Sequence, residues 1–79
     1  MVSRVSIDHD AEMPVYLQLA ALLRARIESG EFTRRMPSLK SVEQEYGVSH
    51  GTTEKAFALL RDEGLIRPVV GRGHFVVRD

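Results

Sequence analysis

The hydrophobic pattern of the chain changes period at Gly64. Before that glycine, apolar residues recur at intervals of three and four. After it, the β-branched and aromatic runs "LIRPVV" and "HFVV" flank Gly71-Arg72-Gly73, as the strands of a hairpin flank a glycine turn. Pro68 lacks an amide donor, which places its strand at an edge of the sheet. A length of 79 residues provides for one small core, which helices and hairpin must share.

The first helix is predicted over "PVYLQLAALLRARIESG". Pro14 suits a first helical turn because its φ is fixed, and Gly30 suits the position just past a helix end. The apolar face of this helix is formed by Tyr16, Leu19, Ala20, Leu23 and Ile27. On the wetter side Arg24 precedes Glu28 by four residues, a spacing that predicts a charge pair.

Two further helices are predicted to meet at a glycine turn. Ser38 can cap a second helix of about two turns, which Gly47 breaks, and Ser49 can cap a third helix from His50 to about Glu63. The buried face of the third helix is formed by Thr53, Ala56, Phe57 and Leu60. This pair is a helix-turn-helix. Three helices followed by a hairpin give a winged helix-turn-helix, a mainly α fold with a small β wing (α+β).

The connection "FTRRMPS" between the first two helices carries a second β signal. Phe32 and Met36 can anchor a short edge strand against the core, on either side of three polar residues.

Composition argues against several classes of protein. The chain has no cysteine, and its three histidines do not fall at metal-binding spacing. No apolar run approaches the roughly 20 residues that span a bilayer, and the first residues lack the apolar core of a signal peptide. Nothing supplies a nucleophile, a base and an oxyanion hole together. We therefore expect a cytoplasmic protein that is not an enzyme, with no cofactor, metal or membrane contact.

Charge is neutral in total but unevenly distributed. Eleven basic and eleven acidic side chains cancel, which is weak support for a protein that binds phosphates. Residues 1–31 hold three basic and five acidic side chains, whereas residues 32–79 hold eight basic and six acidic ones. A nucleic-acid-binding face is therefore expected in the second part of the chain.

Several segments resemble the DNA-binding domain of the GntR family of bacterial transcription regulators. They are "PVYLQLAALLRARIESGEF", "MPS", "YGVS", "ALLRDEGLI" and "GRGHFV", and the resemblance covers residues 13–77. It implies a sequence-specific regulator, expected here to be a repressor, that binds a short palindromic operator as a homodimer. In that case the third helix enters the major groove of double-stranded DNA and the wing lies at the minor groove.

The candidate DNA-contacting residues implied by this resemblance lie around the starts of the second and third helices and in the wing. They are Arg34, Arg35, Ser38, Lys40, Ser49, His50, Gly51, Thr52, Glu54, Lys55, Gly71, Arg72, Gly73 and His74. Thr52 combines a hydroxyl with the free amides of a first helical turn, which suits a phosphate. Arg72 suits the negative potential of a minor groove, and Arg67 is a further candidate for a backbone phosphate. The alternative for each is an ordinary solvated side chain.

Three positions depart from the family's pattern where bases are read. Lys40, His50 and Glu54 stand where the family usually has arginine, whose planar fork donates twice to guanine, with a discrimination of about 1–3 kcal/mol per good pair. Lysine can still donate to guanine, histidine can donate one bond, and glutamate can only accept, as from the cytosine amino group. An operator unlike the family's is expected. If His50 contacts an acceptor, affinity should also rise as the pH falls through the range where histidine is protonated.

Two departures fall between the second and third helices. Glu43 stands where the family has a small alanine, and Thr53 stands where it has valine. A buried, unpaired carboxylate is unfavourable. We therefore expect Glu43 to reach the surface or to accept a hydrogen bond from a donor such as the Thr53 hydroxyl.

Two classes of function are consistent with the sequence. The first is the DNA-binding regulator, and the second is a winged-helix protein-interaction module in which DNA binding is reduced or lost. We expect a single domain over residues 1–79, of which residues 1–12 form a flexible segment. No effector domain and no small-molecule effector site are expected in this chain.

Overall fold

The computed structural model describes residues 7–77, and its elements follow the predicted order. Helix α1 spans Val15–Glu28, α2 spans Leu39–Tyr46 and α3 spans His50–Asp62. Strands β1 (Ile66–Val69) and β2 (Gly73–Val76) form an antiparallel hairpin. The prediction of a winged helix-turn-helix, mainly α with a small β wing, is confirmed. No helix within residues 7–77 has both the length and the apolar character needed to cross a membrane.

Serine side chains fix the starts of α2 and α3. Ser38 Oγ accepts a hydrogen bond from the Ser41 N–H at 3.0 Å, and Ser49 Oγ accepts one from the Thr52 N–H at 3.2 Å. Each bond satisfies a free amide of a first turn, a contribution of about 1 kcal/mol. Gly47 ends α2 in the left-handed region at φ 67°, where glycine has no Cβ to clash. Caps and turn together set the angle at which α3 leaves α2.

The connection between α1 and α2 contacts β2 of the wing through a single β-bridge. Arg35 forms a β-bridge with Phe75, and the Met36 N–H donates to the His74 carbonyl at 2.9 Å. This contact lies on the side of β2 away from β1. The edge strand predicted from the sequence is present only as this single bridge, and the sheet itself has two strands. Pro68 lies opposite His74 in β1. Within the described residues β1 is paired on one side only, as the missing amide of Pro68 requires.

One apolar core joins the helices to the hairpin. Its buried members are Leu19, Ala20, Leu23, Ile27, Met36, Val42, Ala56, Phe57, Leu60, Ile66 and Val76. Burying a large apolar side chain contributes about 1.5–3 kcal/mol, so this cluster holds α1, α2, α3 and the wing together. The buried face predicted for α3 is confirmed, including Thr53, whose hydroxyl donates to the Ser49 carbonyl at 2.9 Å. That bond satisfies the one polar group of this face.

Arginines of α1 bind acidic side chains from distant parts of the chain. Arg24 donates from Nε and Nη2 to the two carboxylate oxygens of Glu63, at 2.8 and 2.6 Å. The direct contact is made by Glu63, because its carboxylate accepts two hydrogen bonds from one guanidinium, and this bonding raises the pKa of Arg24. The predicted pairing of Arg24 with Glu28 is limited to the effect of the Glu28 charge, which adds to that rise. Arg26 Nη1 lies 3.1 Å from Glu45 Oε2 on α2. These contacts fasten α1 to the other two helices.

Gln18 ties the segment before α1 to that helix. Its Nε2 donates to the carbonyls of Asp8 and Met13, at 2.9 and 2.8 Å, and its Oε1 accepts from the Asp8 N–H at 2.8 Å. Ile7 packs against the core. The predicted flexibility of residues 1–12 stays a prediction, since residues 1–6 lie outside the described part of the chain.

Candidate functional site

The exposed side of α3 and the wing border one shallow hollow, which we call the α3–wing face. It is lined by Gly51, Glu54, Lys55, Ala58 and Arg61 of α3, Leu39 of α2 and His74 of β2. The α3 positions recur at intervals of three and four, so they share the side of the helix opposite to the buried face. The short side chain of Ala58 keeps the centre of the hollow open. Four sequence candidates meet here: Gly51, Glu54, Lys55 and His74.

Arg61 belongs to this face although it was not a sequence candidate. Its Nη1 lies 3.1 Å from Nε2 of His74. Because a guanidinium can only donate, the imidazole nitrogen accepts and the ring is neutral. Burial, and then the charge of Arg61, lower the pKa of His74, in agreement with that tautomer. The signal that could have found Arg61 is its spacing of seven residues from Glu54, which puts both on one helical face.

The first turn of α3 presents a hydroxyl that is held in place. Ser49 Oγ donates to Thr52 Oγ1 at 3.0 Å while accepting from the Thr52 N–H. The proton of the Thr52 hydroxyl is therefore available to an outside acceptor. Gly51 beside it has open space where a Cβ would stand. The Ser49 side chain is used inside the helix cap, as is that of Ser38 at the start of α2.

His50 is held between two carboxylates. Its Nδ1 lies 2.6 Å from Glu43 Oε2 on α2, and its Nε2 lies 3.2 Å from Glu54 Oε2 one turn further along α3. The hydrogen bond to Glu43, followed by the charge of Glu54, raises the pKa of His50. Glu43 thus finds a donor as expected, but the donor is His50 and not the Thr53 hydroxyl, which bonds to the Ser49 carbonyl.

The wing tip is held by an arginine from outside the hairpin. Arg35 donates from Nε and Nη2 to the carbonyl of Arg72, at 3.3 and 2.9 Å, and its guanidinium lies 5.5 Å from the ring centre of Phe75. Gly71 and Gly73 have φ values of 76° and 90°, which allow the tight turn that exposes the Arg72 side chain. Arg35 therefore supports the wing, although the sequence suggested a phosphate contact.

The other basic candidates lie in three different places. Lys55 Nζ lies 4.8 Å from the ring centre of Tyr16 on α1, a cation–π contact that limits its freedom at the edge of the α3–wing face. Arg34 and Arg67 line a separate hollow together with Phe75. Lys40 is exposed in the first turn of α2. The structure does not bring Arg34 and Arg67 into the α3–wing face.

Ion pairing distributes the neutral total charge unevenly over the surface. Glu31, Glu45 and Glu63 are bound by the arginines of α1. Lys40, Lys55, Arg61 and Arg72 form no salt bridge within residues 7–77. The α3–wing face therefore holds two cations without an ion-pair partner in residues 7–77, Lys55 and Arg61, beside the carboxylate of Glu54. No three His, Cys, Asp or Glu side chains in the described residues are arranged to hold a metal ion.

Comparison with known proteins places this geometry in a family. The family model "Bacterial regulatory proteins, gntR family" matches residues 15–76. A curated relative, the HTH-type transcriptional repressor NagR of Bacillus subtilis, is 32% identical over 74 residues, which cover 91% of this chain and 30% of NagR. The chain spans about a third or less of the length of the curated relatives it matches.

Solved structures agree with this assignment. YtrA from Sulfolobus acidocaldarius, a GntR-family transcription factor, superposes with a TM-score of 0.83 at 32% identity, covering 98% of this chain and 83% of YtrA. The DNA-binding domain of AraR, solved in complex with operator ORX1, superposes with a TM-score of 0.79 at 27% identity, covering 96% of this chain and 93% of that one.

Proposed function

Because the chain belongs to the gntR family of bacterial regulatory proteins, we propose that it is the sequence-specific DNA-binding domain of a transcription regulator. The observation that carries the proposal is the α3–wing face, where the exposed side of a capped helix and a glycine-turned hairpin border one hollow. An α-helix fits the major groove of B-DNA, and a short hairpin beside it reaches the neighbouring backbone or minor groove.

Five of the candidates then have roles set by their chemistry. The Thr52 hydroxyl and the free amides of the α3 start bind a backbone phosphate, and Gly51 lets the strand approach closely. Lys40 donates to guanine, and Glu54 accepts from the cytosine amino group. Arg72 enters the minor groove at the wing tip.

Arg61 and Lys55 extend the phosphate-binding surface along α3. Both are cations of the α3–wing face without a salt-bridge partner in residues 7–77. Arg61 bridges toward β2 through His74, so a phosphate strand that runs between α3 and the wing meets a positioned guanidinium.

The wider proposal is a repressor that binds a short palindromic operator as a homodimer in the cytoplasm. A two-fold site is favoured because one domain with a neutral total charge offers few phosphate contacts, and two half-sites multiply affinity. The repressor name of NagR supports the direction of control. The 79 residues act as a single domain that folds around one core.

Selection of bound duplexes from a random-sequence pool at low salt, followed by salt titration of the selected duplex, tests the proposal. A shared motif should emerge, with log affinity falling linearly against log salt concentration. Arg72→Gln should reduce that slope by about one. Arg24→Gln removes the same charge from α1 and should leave the slope unchanged.

Two results would count against the proposal, the first against DNA binding as a whole and the second against the role of the wing. One is the absence of any enriched motif together with affinity that does not depend on salt, which would favour the protein-interaction module. The other is equal slopes for Arg72→Gln and the unaltered protein, which would remove the wing from the interface.

A further inference from the structure

A three-residue chain of contacts crosses the turn between α2 and α3. Glu43 Oε2 lies 2.6 Å from His50 Nδ1, and His50 Nε2 lies 3.2 Å from Glu54 Oε2. Ionised carboxylates only accept hydrogen bonds, so two of them facing the two ring nitrogens select the imidazolium, which donates from both. The side chain of Glu43 is 20% exposed, whereas those of His50 and Glu54 are 61% and 60% exposed. The contacts therefore connect Glu43, which is largely buried, to Glu54, which is open to an approaching partner.

We propose that Glu43, acting through His50, orients the carboxylate of Glu54 and makes the base preference of α3 depend on pH. The inference rests on the proposed function, in which Glu54 accepts from a cytosine amino group. Glu43 is a positioning residue here, since His50 stands between it and the base-contacting carboxylate.

The carboxylate of Glu54 is oriented by the two contacts that the His50 imidazolium makes. An exposed glutamate samples several rotamers, and ordering them opposes binding. The imidazolium fixed by Glu43 holds Glu54 at 3.2 Å before DNA arrives. Only one oxygen of Glu54 is engaged in that contact, so the other remains free to accept from a base.

Protonation of His50 makes the net charge of Glu43, His50 and Glu54 less negative, which favours the approach of DNA. With His50 protonated the three side chains carry one net negative charge, and with His50 neutral they carry two. Phosphates repel the second state more strongly than the first. The neutral ring keeps one N–H, and the shorter contact of Nδ1 with Glu43 favours the proton on that nitrogen. Glu54 then has no donor at Nε2, and its orientation relaxes.

The sign of the pH dependence is set by both carboxylates. The charged groups that shift the imidazole are Glu43 from α2 and Glu54 from α3 itself, and together they raise the pKa of His50 in the free protein. Bound DNA raises it further, since phosphates favour the cation. Affinity therefore rises as the pH falls through these two pKa values, by at most about tenfold per pH unit because one proton is taken up. It levels off below the pKa of the free protein.

The first test needs no DNA. The imidazole of His50 is titrated by NMR in the unaltered protein, in Glu43→Gln and in the control Glu28→Gln, which removes an exposed carboxylate from α1. Glu43→Gln should move the titration midpoint of His50 to lower pH, and the control should leave it in place. An unchanged midpoint in Glu43→Gln would overturn the inference.

The second test compares duplexes that differ only at the cytosine assigned to Glu54, using the selected motif as the probe. For the unaltered protein the preference for cytosine should weaken as the pH rises. In Glu43→Gln that weakening should occur at lower pH, and in His50→Gln the preference should lose its pH dependence. A Glu43→Gln preference that follows the unaltered protein at every pH would overturn the inference while leaving the proposed function intact. Absence of any selected motif would instead count against the proposed function itself.

Discussion

Replacing Arg35 with methionine should loosen the tip of the wing. The guanidinium of Arg35 donates twice to the Arg72 carbonyl, at 3.3 and 2.9 Å, and lies 5.5 Å from the ring centre of Phe75. Methionine keeps the length and apolar contact of the side chain but can donate no hydrogen bond. The substitution therefore removes the tether between the wing tip and the connection that precedes α2.

The expected size of the effect follows from these contacts. A hydrogen bond makes a net contribution to stability of about 0.5–1.5 kcal/mol, and an exposed cation–π contact contributes about 0.5–1 kcal/mol. Arg35 is exposed, and its contacts share one side chain, so their sum is not additive. We expect a loss of about 1 kcal/mol in the free energy of opening the tip, which is roughly a fivefold shift in the opening equilibrium.

Amide hydrogen exchange in the free protein measures this opening. The Arg72 N–H, which donates to the Val69 carbonyl at 2.9 Å, should exchange about fivefold faster in Arg35→Met. The matched control is Arg67→Met, because the Arg67 side chain makes no hydrogen bond or ion pair with the described residues. Exchange of the Val42 N–H, in α2, should be unaffected. Equal exchange of the Arg72 amide in both variants would refute the tether.

Three further predictions concern the stability of the domain. Phe57→Ala empties a fully buried site and should lower the free energy of unfolding by about 3–5 kcal/mol, as measured by urea denaturation. Ser49→Ala removes the α3 cap and the partner of Thr52 and should cost about 0.5–2 kcal/mol in the same assay. Glu63→Gln breaks the Arg24 pair, whose members are about one-third exposed, and should cost about 0.2–1 kcal/mol. Because Arg24 lowers the pKa of Glu63, this last contribution is present above the unfolded-state pKa and is lost as the pH falls through the folded-state pKa. A difference between the unaltered protein and Glu63→Gln that persists at low pH would contradict that assignment.

The elements of the fold were predictable because their boundaries are determined by residues that lie close together in the sequence. Ser38 and Ser49 can satisfy free amides from their own first turns, and Gly47 takes the left-handed conformation that ends α2. Such signals depend on neighbours a few residues apart. The buried face of α3 was predictable for the same reason, since helical spacing alone assigns Phe57 to the core.

Contacts between elements were less predictable because they depend on how the helices cross. Arg24 has Glu28 at helical spacing, yet it binds Glu63. Glu43 and His50 are seven residues apart but lie on different helices, so their contact depends on the α2–α3 turn and not on a helical period. The tether from Arg35 to a backbone carbonyl joins residues 37 positions apart and leaves no pattern in the sequence.

The outline of the candidate site was predictable because the helix start and the wing also have local sequence signals. The helix start and the wing were identified from capping and turn residues and from the family resemblance. Arg61 was missed, although its spacing from Glu54 assigns it to the α3–wing face. Total charge was a poor guide, because three acidic side chains are bound by the arginines of α1. What the total does not show is that Lys55 and Arg61 of the α3–wing face have no ion-pair partner within residues 7–77.

The most direct test of the account is to map the surface that DNA occupies. The 15N-labelled chain is titrated with the selected duplex, and amide chemical shifts are followed by NMR, which also detects weak complexes. The shifts should be concentrated at Gly51, Thr52, Lys55, Arg61 and Arg72. Shifts confined to the exposed side of α1, or no shifts at any duplex concentration, would contradict the claim that the α3–wing face binds DNA.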